Sequence, residues 1–100
     1  MATVTKVLAR TAAATSSATL YTVPSATTTV ITNIVVTNSA TSAGTFTLLL
    51  DNIDLHTTAP IAANTTVYID LKQVLAAAKT IKGFASATTI DFHISGVEIA

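Results

Sequence analysis

The chain has 100 residues, of which five are Lys or Arg and five are Asp or Glu, so its net charge is zero. A soluble domain of this length typically carries about 25 charged residues. With no excess of positive charge, the composition gives no electrostatic basis for binding nucleic acid or an anionic membrane. The absence of Cys excludes a disulfide scaffold and a thiolate metal site. The length suffices for one hydrophobic core, and we expect a single domain.

The charged residues are unevenly distributed, because residues 11 to 50 include no Asp, Glu, Lys, Arg or His. A membrane-spanning helix needs about 20 consecutive, mainly apolar residues, and here Thr, Ser or Asn interrupts every apolar run. We therefore expect no membrane span. An export signal is not expected either, because Lys6 and Arg10 flank the only apolar patch near the N-terminus.

Alternation of apolar and polar residues with a period of two predicts β-strands in the first half of the chain. The strands predicted there are Thr19–Val23, Thr28–Asn38 and Thr45–Leu50. The second of these carries β-branched residues on both faces, so we expect it to be a central strand that is covered on both sides. Residues 38 to 44 are rich in turn-forming residues and predict a hairpin connection.

The second half of the chain shows the same alternation with several interruptions. The strands predicted there are Thr65–Leu71, Thr80–Ala85 and Thr88–Ile99. The apolar positions shift by one residue after Asp51 and Asn52, which indicates a bulge or a tight turn. Residues 60 to 64 predict a loop, and Gly96 is expected to mark a bulge in the last strand. Residues 71 to 79 also have a helical spacing, but an extended or turn-like segment is favoured over so short a helix.

About six to eight short strands at intervals of roughly ten residues predict an all-β fold. We expect a single antiparallel β-sandwich over residues 18–100, either jelly-roll-like or immunoglobulin-like. Residues 1–17 are expected to form an extended N-terminal arm and a linker outside the regular core.

Three residues of the last predicted strand have the side-chain types of a catalytic triad. Asp91, His93 and Ser95 alternate on one face, which suggests a serine nucleophile with a histidine base and an orienting carboxylate. However, neighbours on one strand face are roughly 7 Å apart at Cα with parallel side chains, whereas a triad needs contacts of about 3 Å. We therefore expect a solvated strand face and no enzymatic activity.

Metal and cofactor binding are not expected. Asp54 and His56 form a second Asp-x-His pair, which together with Asp91 and His93 would supply enough ligands for a metal ion. Nothing in the sequence brings the two pairs together. Three isolated glycines cannot form a phosphate-binding loop.

Two tyrosines and three lysines are the remaining candidates for ligand contacts. Tyr21 and Tyr68 could stack on a sugar, but each pattern favours a half-buried strand residue with its hydroxyl at the rim. Lys72, Lys79 and Lys82 form the only basic cluster in the sequence. We expect these lysines to form a solvated rim.

The composition favours assembly with other protein surfaces. Uncharged Thr-rich and Ala-rich strands cost little desolvation when they are buried, and few long charged side chains lose entropy on assembly. The residues that we expect to contribute to assembly are Val4, Val7, Leu8 and Tyr21. The segment from Ala2 to Leu8 alternates like a strand that could add to the edge of a neighbouring subunit's sheet, and a disordered tail is the alternative.

Several segments resemble small β-structured virion proteins of tailed bacteriophages, and their order is more specific than any one of them. They are residues 20–24, 28–38, 60–66, 74–77 with 80–81, and 93–99. The resemblance extends from about residue 20 to the C-terminus. It implies a structural role in the particle and no catalytic residues. Where such proteins often have a Gly or Asp turn, this chain has Ala78 and Lys79.

The resemblance and the composition together predict a structural virion protein, most simply a capsid decoration or cement subunit that stabilises the shell. The expected partners are further copies of the chain, as a homotrimer, and the major capsid protein or other virion proteins. A neck, tail or fibre component and a host-surface glycan-binding module are the alternatives. The charge-free first half is expected to carry more of the contact between subunits.

Overall fold

A computed structural model describes residues Thr3 to Ala100, which form two antiparallel sheets of four β-strands each. The all-β prediction is therefore confirmed. The strands are β1 (Thr3–Ala12), β2 (Ala18–Thr22), β3 (Thr28–Asn38), β4 (Gly44–Leu50), β5 (Ile53–Ile61), β6 (Thr65–Leu75), β7 (Thr80–Ala85) and β8 (Ile90–Ile99).

Consecutive strands along the chain belong alternately to the two sheets, except at β4 and β5. Sheet A has the order β1-β8-β3-β6, and sheet B has the order β2-β7-β4-β5. Each strand of the first half pairs with one of the second half: β1 with β8, β2 with β7, β3 with β6, and β4 with β5. Of the connections between consecutive strands, only the one from β4 to β5 joins two neighbours of the same sheet. Residues 39–43 therefore lead from sheet A to sheet B, and the expected hairpin at this point is wrong.

The N-terminal segment belongs to sheet A over its described length. Thr3–Ala12 forms the edge strand β1, which pairs with β8 from Thr3 opposite Ile99 to Ala12 opposite Asp91. We expected residues 1–17 to form an arm and linker outside the core, but Thr3–Ala12 is a strand of sheet A. Residues 1 and 2 lie outside the described residues. An edge strand has one neighbour only, so most of its side chains stay exposed and its sequence reads like that of a tail.

The strand β3 is central, between β8 and β6, as predicted. Its pairing with both neighbours shifts between Ile31 and Asn33, which marks a bulge at Thr32. Because the bulge inserts one residue, both Ile31 and Ile34 point into the core and are fully buried. Without a bulge, simple alternation would place Ile31 and Ile34 on opposite faces of the strand. We expected both faces of β3 to be covered. Its outer face is half-exposed instead, because no further layer packs on it within the described residues.

The last strand keeps its alternation through Gly96, contrary to the predicted bulge. Ile90, Phe92, Ile94 and Gly96 are all buried. The register shifts lie in the two neighbouring strands, at Leu8 in β1 and at Thr32 in β3. Glycine is needed at position 96 because neighbouring atoms fill the space where a side chain would be.

The second half contains the predicted tight turn, and a strand extends into the predicted loop at residues 60 to 64. Asp51 and Asn52 have φ angles of 54° and 61°, so they form the predicted tight turn between β4 and β5. The strand β5 extends to Ile61, and Pro60 is tolerated because β5 is an edge strand. Residues 71 to 75 continue β6, which confirms that this segment is extended.

One hydrophobic core fills the space between the sheets. Phe92 from sheet A and Phe46 from sheet B meet edge to face, with ring centroids 6.3 Å apart. Around them, the buried core side chains of sheet A are mainly Ile, and those of sheet B include Leu48, Ile61 and Ile81. This core holds the two sheets at a fixed separation and leaves their outer faces free for other contacts.

Candidate functional site

The three residues that resemble a triad lie on the outer face of β8, but they do not contact one another. Asp91, His93 and Ser95 pair in register with Ala12, Arg10 and Val7 of β1. The Nδ1 atom of His93 accepts a hydrogen bond from Arg10 Nε at 3.2 Å. The imidazole is thus engaged with a cation, and no hydrogen bond links it to the carboxylate or the hydroxyl.

The two Asp-x-His pairs lie in different sheets. Asp54 and His56 belong to β5 in sheet B, whereas Asp91 and His93 belong to β8 in sheet A. His56 packs near the Phe46 ring, with centroids 5.9 Å apart. Among residues 3–100, no three His, Cys, Asp or Glu side chains come together in a way that could hold a metal ion.

The three lysines are distributed over both sheets. Lys72 lies on β6, Lys82 on β7, and Lys79 in the connection between them. Lys79 Nζ is 3.5 Å from Asp51 Oδ1, at the turn between β4 and β5. The predicted basic cluster is therefore divided between the two sheets.

The two tyrosines occupy very different environments. Tyr68 lies on the outer face of β6 with 75% of its surface exposed, instead of being half-buried. Tyr21 is half-buried as predicted, and its hydroxyl hydrogen-bonds Thr29 Oγ1 at 2.9 Å and donates to the Glu98 carboxylate. Only Tyr68 thus presents its ring as a surface platform.

A polar cluster joins the sheets near the end where β1 begins and β8 ends. We call Tyr21, Thr29, Glu98 and Lys6 the Tyr21–Glu98 cluster. Lys6 Nζ donates to both Glu98 carboxylate oxygens at 3.4 Å. Tyr21 comes from sheet B, whereas Glu98 and its other partners come from sheet A, so the cluster is a hydrogen-bonded link between the sheets. The sequence contained no signal for it, because Tyr21 and Glu98 are far apart along the chain.

The cluster shifts the titration of its two principal members. Burial, and then the hydrogen bond to Glu98, raise the pKa of Tyr21. The hydrogen bond from Tyr21 lowers the pKa of Glu98, and the hydrogen bond and charge of Lys6 lower it further against the opposing effect of burial. The ionised carboxylate is therefore the form that the folded protein stabilises.

The structure places the four expected assembly residues in two settings. Val4 and Val7 are exposed on β1, with 51% and 45% of their surface accessible. Leu8 is buried, and Tyr21 belongs to the cluster between the sheets. Only the two valines are thus available to a partner as they stand.

The outer face of sheet A carries the largest group of exposed apolar side chains among residues 3–100. Of the five large hydrophobic residues that are exposed, Val7, Tyr68 and Val74 lie on it, and Val4 and Ile53 do not. Half-buried Val30 and Val97 lie in one register row with Val74, and half-buried Val35 lies beside Tyr68. Exposed apolar side chains grouped on one face typically mark an interaction site, and this face is our candidate functional site.

Comparison with known proteins adds no assignment. The chain matches no family model, and no curated protein or solved structure is significantly similar to it. Within residues 3–100 there is no helix of the length and apolarity needed to cross a membrane.

Proposed function

We propose that this chain is a structural, non-enzymatic virion protein, specifically a capsid decoration or cement subunit. The observation that carries the proposal is the group of exposed apolar side chains on the outer face of sheet A, namely Val7, Tyr68 and Val74. Burying these side chains against protein releases water from apolar surface. Each subunit would add buried area at junctions of the shell and so stabilise it against internal pressure.

We further infer that the two sheets form a jelly roll. A jelly roll is a long hairpin wrapped into two sheets, so that the first strand pairs with the last and the second with the seventh. The pairings of β1 with β8 and β2 with β7 follow this scheme. An immunoglobulin-like sandwich divides its strands differently between the sheets. Eight-stranded jelly rolls occur in viral capsid and lectin domains, which supports a role in a particle.

The proposed partners are the major capsid protein or other virion proteins and further copies of the chain itself. Self-association fits a face whose large exposed hydrophobic side chains are Val and Tyr, because apolar β-surfaces pack well against one another. A homotrimer is the form of self-association expected from the sequence analysis.

The test is binding to capsids of the phage that encodes the protein, assembled in its absence and expanded. We expect the purified protein to co-sediment with these capsids and to appear as ordered density on their surface by cryo-microscopy. Val74→Lys should lose decoration, because it places a charge on the outer face of sheet A. Ile53→Lys is the matched control, since Ile53 is 69% exposed but lies elsewhere. Absence of wild-type binding would refute the decoration role.

A second candidate function is glycan binding, favoured by one observation. Tyr68 presents an exposed ring on a β-sheet face, and jelly rolls include lectin domains. A glycan array should then show binding that Tyr68→Ala abolishes and Tyr21→Phe retains. An array without wild-type binding would eliminate this candidate.

A further inference from the structure

We propose that the outer face of sheet A packs against the same face of a second copy of this chain, about a twofold axis parallel to the strands. The inference rests on the assembly role proposed above and names a second copy of the chain as the partner of this face, so the pair would contact the shell with its remaining surfaces. It replaces the expected homotrimer with an isologous pair, in which the same patch of both copies forms the contact.

The first argument is the concentration of exposed apolar surface on this face. Val74 is 65% exposed and lies in one register row with Val30 and Val97. Val7 lies in the next row, and Tyr68 lies in the row after that. Nothing within residues 3–100 covers them. A second apolar sheet at the usual packing distance would remove these side chains from water, which is the main driving force for association.

The second argument is the arrangement of groups along one register row. Arg10, His93, Val35 and Tyr68 pair across the four strands, so a cation lies at the β1 edge and an aromatic ring at the β6 edge. The hydrogen bond from Arg10 Nε to His93 Nδ1 directs the guanidinium across the face.

With a twofold axis parallel to the strands, each register row faces the same row of the second copy. The order of the four strands is reversed between the two copies. The β1 edge of one copy then lies over the β6 edge of the other. Arg10 meets Tyr68 of the second copy, and the symmetry repeats this cation–π contact at the opposite edge. In the valine row, Val97 meets Val30 of the second copy, so apolar surface faces apolar surface.

The remaining charges select this axis over the perpendicular one. Asp70 lies on β6 in the row next to Tyr68. With the axis parallel to the strands, Asp70 of the second copy approaches the edge that holds Arg10, and the two Arg10 side chains lie at opposite edges. With an axis perpendicular to the strands, β1 would lie over β1, and both Arg10 side chains would share one edge with no carboxylate nearby except Asp91 of their own β8. Charge complementarity therefore favours the parallel axis.

Sedimentation equilibrium of the purified protein tests the interface. We expect the wild-type chain to form dimers, and we expect Tyr68→Glu and Val74→Lys to sediment as monomers that keep the far-UV circular dichroism spectrum of the folded wild type. Ile53→Lys, at an equally exposed position outside the face, should remain dimeric. A wild-type monomer or trimer, or a dimeric Val74→Lys, would overturn the proposal. Because this experiment contains no capsids, it tests dimerisation independently of decoration. Failure of the dimer proposal can therefore be distinguished from failure of the decoration proposal.

Cross-linking tests the axis. The chain contains no Cys, so Ala12→Cys and Thr66→Cys each introduce a single thiol, at the two ends of one register row. Packed sheets are about 10 Å apart, and a bismaleimide of similar reach should link the two variants after they are refolded together. Neither variant alone should cross-link. A dimer that forms without the mixed cross-link would refute the parallel axis.

Discussion

Gly96 shows how a single position constrains two neighbouring strands. A Cβ atom at this position would lie 2.4 Å from the Val30 carbonyl oxygen and 2.8 Å from Leu8 Cδ1. The first of these atoms is backbone of the central strand β3 and cannot move without disturbing the sheet. The need for glycine here is one of space, because no glycine of the described chain has a positive φ.

We expect Gly96→Ala to lower the free energy of unfolding by about 1 to 3 kcal/mol, the usual cost of overpacking a core. Urea unfolding followed by circular dichroism measures this change. Gly44→Ala is the control, because its Cβ would meet only the side-chain ends of Ile90 and Ser86, at 2.8 Å. Those ends can rotate, so its loss should be smaller. Equal losses for the two variants would contradict the steric argument.

The Tyr21–Glu98 cluster makes stability depend on pH in a defined direction. The pKa of Glu98 is lower in the folded protein than in the unfolded chain, because the Tyr21 hydroxyl and Lys6 favour the ionised form. The cluster therefore contributes stability above the unfolded pKa, which is about 4.3 for Glu. This contribution is lost as the pH falls through the folded pKa.

We expect Glu98→Gln to be less stable than the wild type at pH 7, with the difference shrinking as the pH falls below about 4. Thermal melts across pH 3 to 7 measure this. Tyr21→Phe should lose about 1 kcal/mol at pH 7 because its hydrogen bonds are gone, and it should show a weaker acid dependence than the wild type. A difference between wild type and Glu98→Gln that is constant with pH would count against the cluster.

At the scale of the element, the strand β1 differs most from the sequence-based expectation. Leu8 sits at the bulge of β1, is only 7% exposed and belongs to the core. A detached arm would leave this side chain in water. The sequence of β1 reads like a tail because only one of its edges is paired, and Lys6 and Arg10 interrupt its apolar positions.

Leu8→Ala should therefore destabilise the fold by about 2 to 5 kcal/mol, as expected for truncation of a core leucine. Val4→Ala, in the same strand but half-exposed, should change stability by less than about 0.5 kcal/mol. Chemical denaturation of both variants measures the difference. If Leu8→Ala were as stable as Val4→Ala, β1 would not be packed on the core.

The strand β3 illustrates the limit of periodicity. Its bounds follow from the β-branched run between two turn-forming segments, and they were predicted correctly as Thr28–Asn38. Simple alternation does not identify its inward side chains, because the bulge at Thr32 shifts the alternation in the middle of the strand. A bulge depends on the pairing of both neighbours, which come from distant parts of the chain.

For the whole molecule, the strand order implies cooperative unfolding. Every connection except β4–β5 crosses between the sheets, so no contiguous segment of the chain can form one sheet alone. Both sheets also share one core. Unfolding of either sheet would expose the core face of the other, and an exposed half of the sandwich has little to stabilise it.

We therefore expect a single unfolding transition in which both sheets unfold together. Tyr68→Phe leaves Tyr21 as the fluorescent probe of sheet B, and Tyr21→Phe leaves Tyr68 as the probe of sheet A. In each variant, the urea midpoint from tyrosine fluorescence should coincide with that from far-UV circular dichroism. Separate midpoints in either variant would show that one sheet persists without the other.

The all-β class and the approximate bounds of six of the strands could be predicted from the amino-acid sequence, because alternation and turn-forming residues act over a few neighbouring positions. Only the tertiary structure decided which strands are neighbours, that β1 belongs to sheet A, and that Tyr21 reaches Glu98. It also brought Val7, Tyr68 and Val74 onto one face. These features depend on register between strands far apart in the chain, and register is set by packing of the shared core.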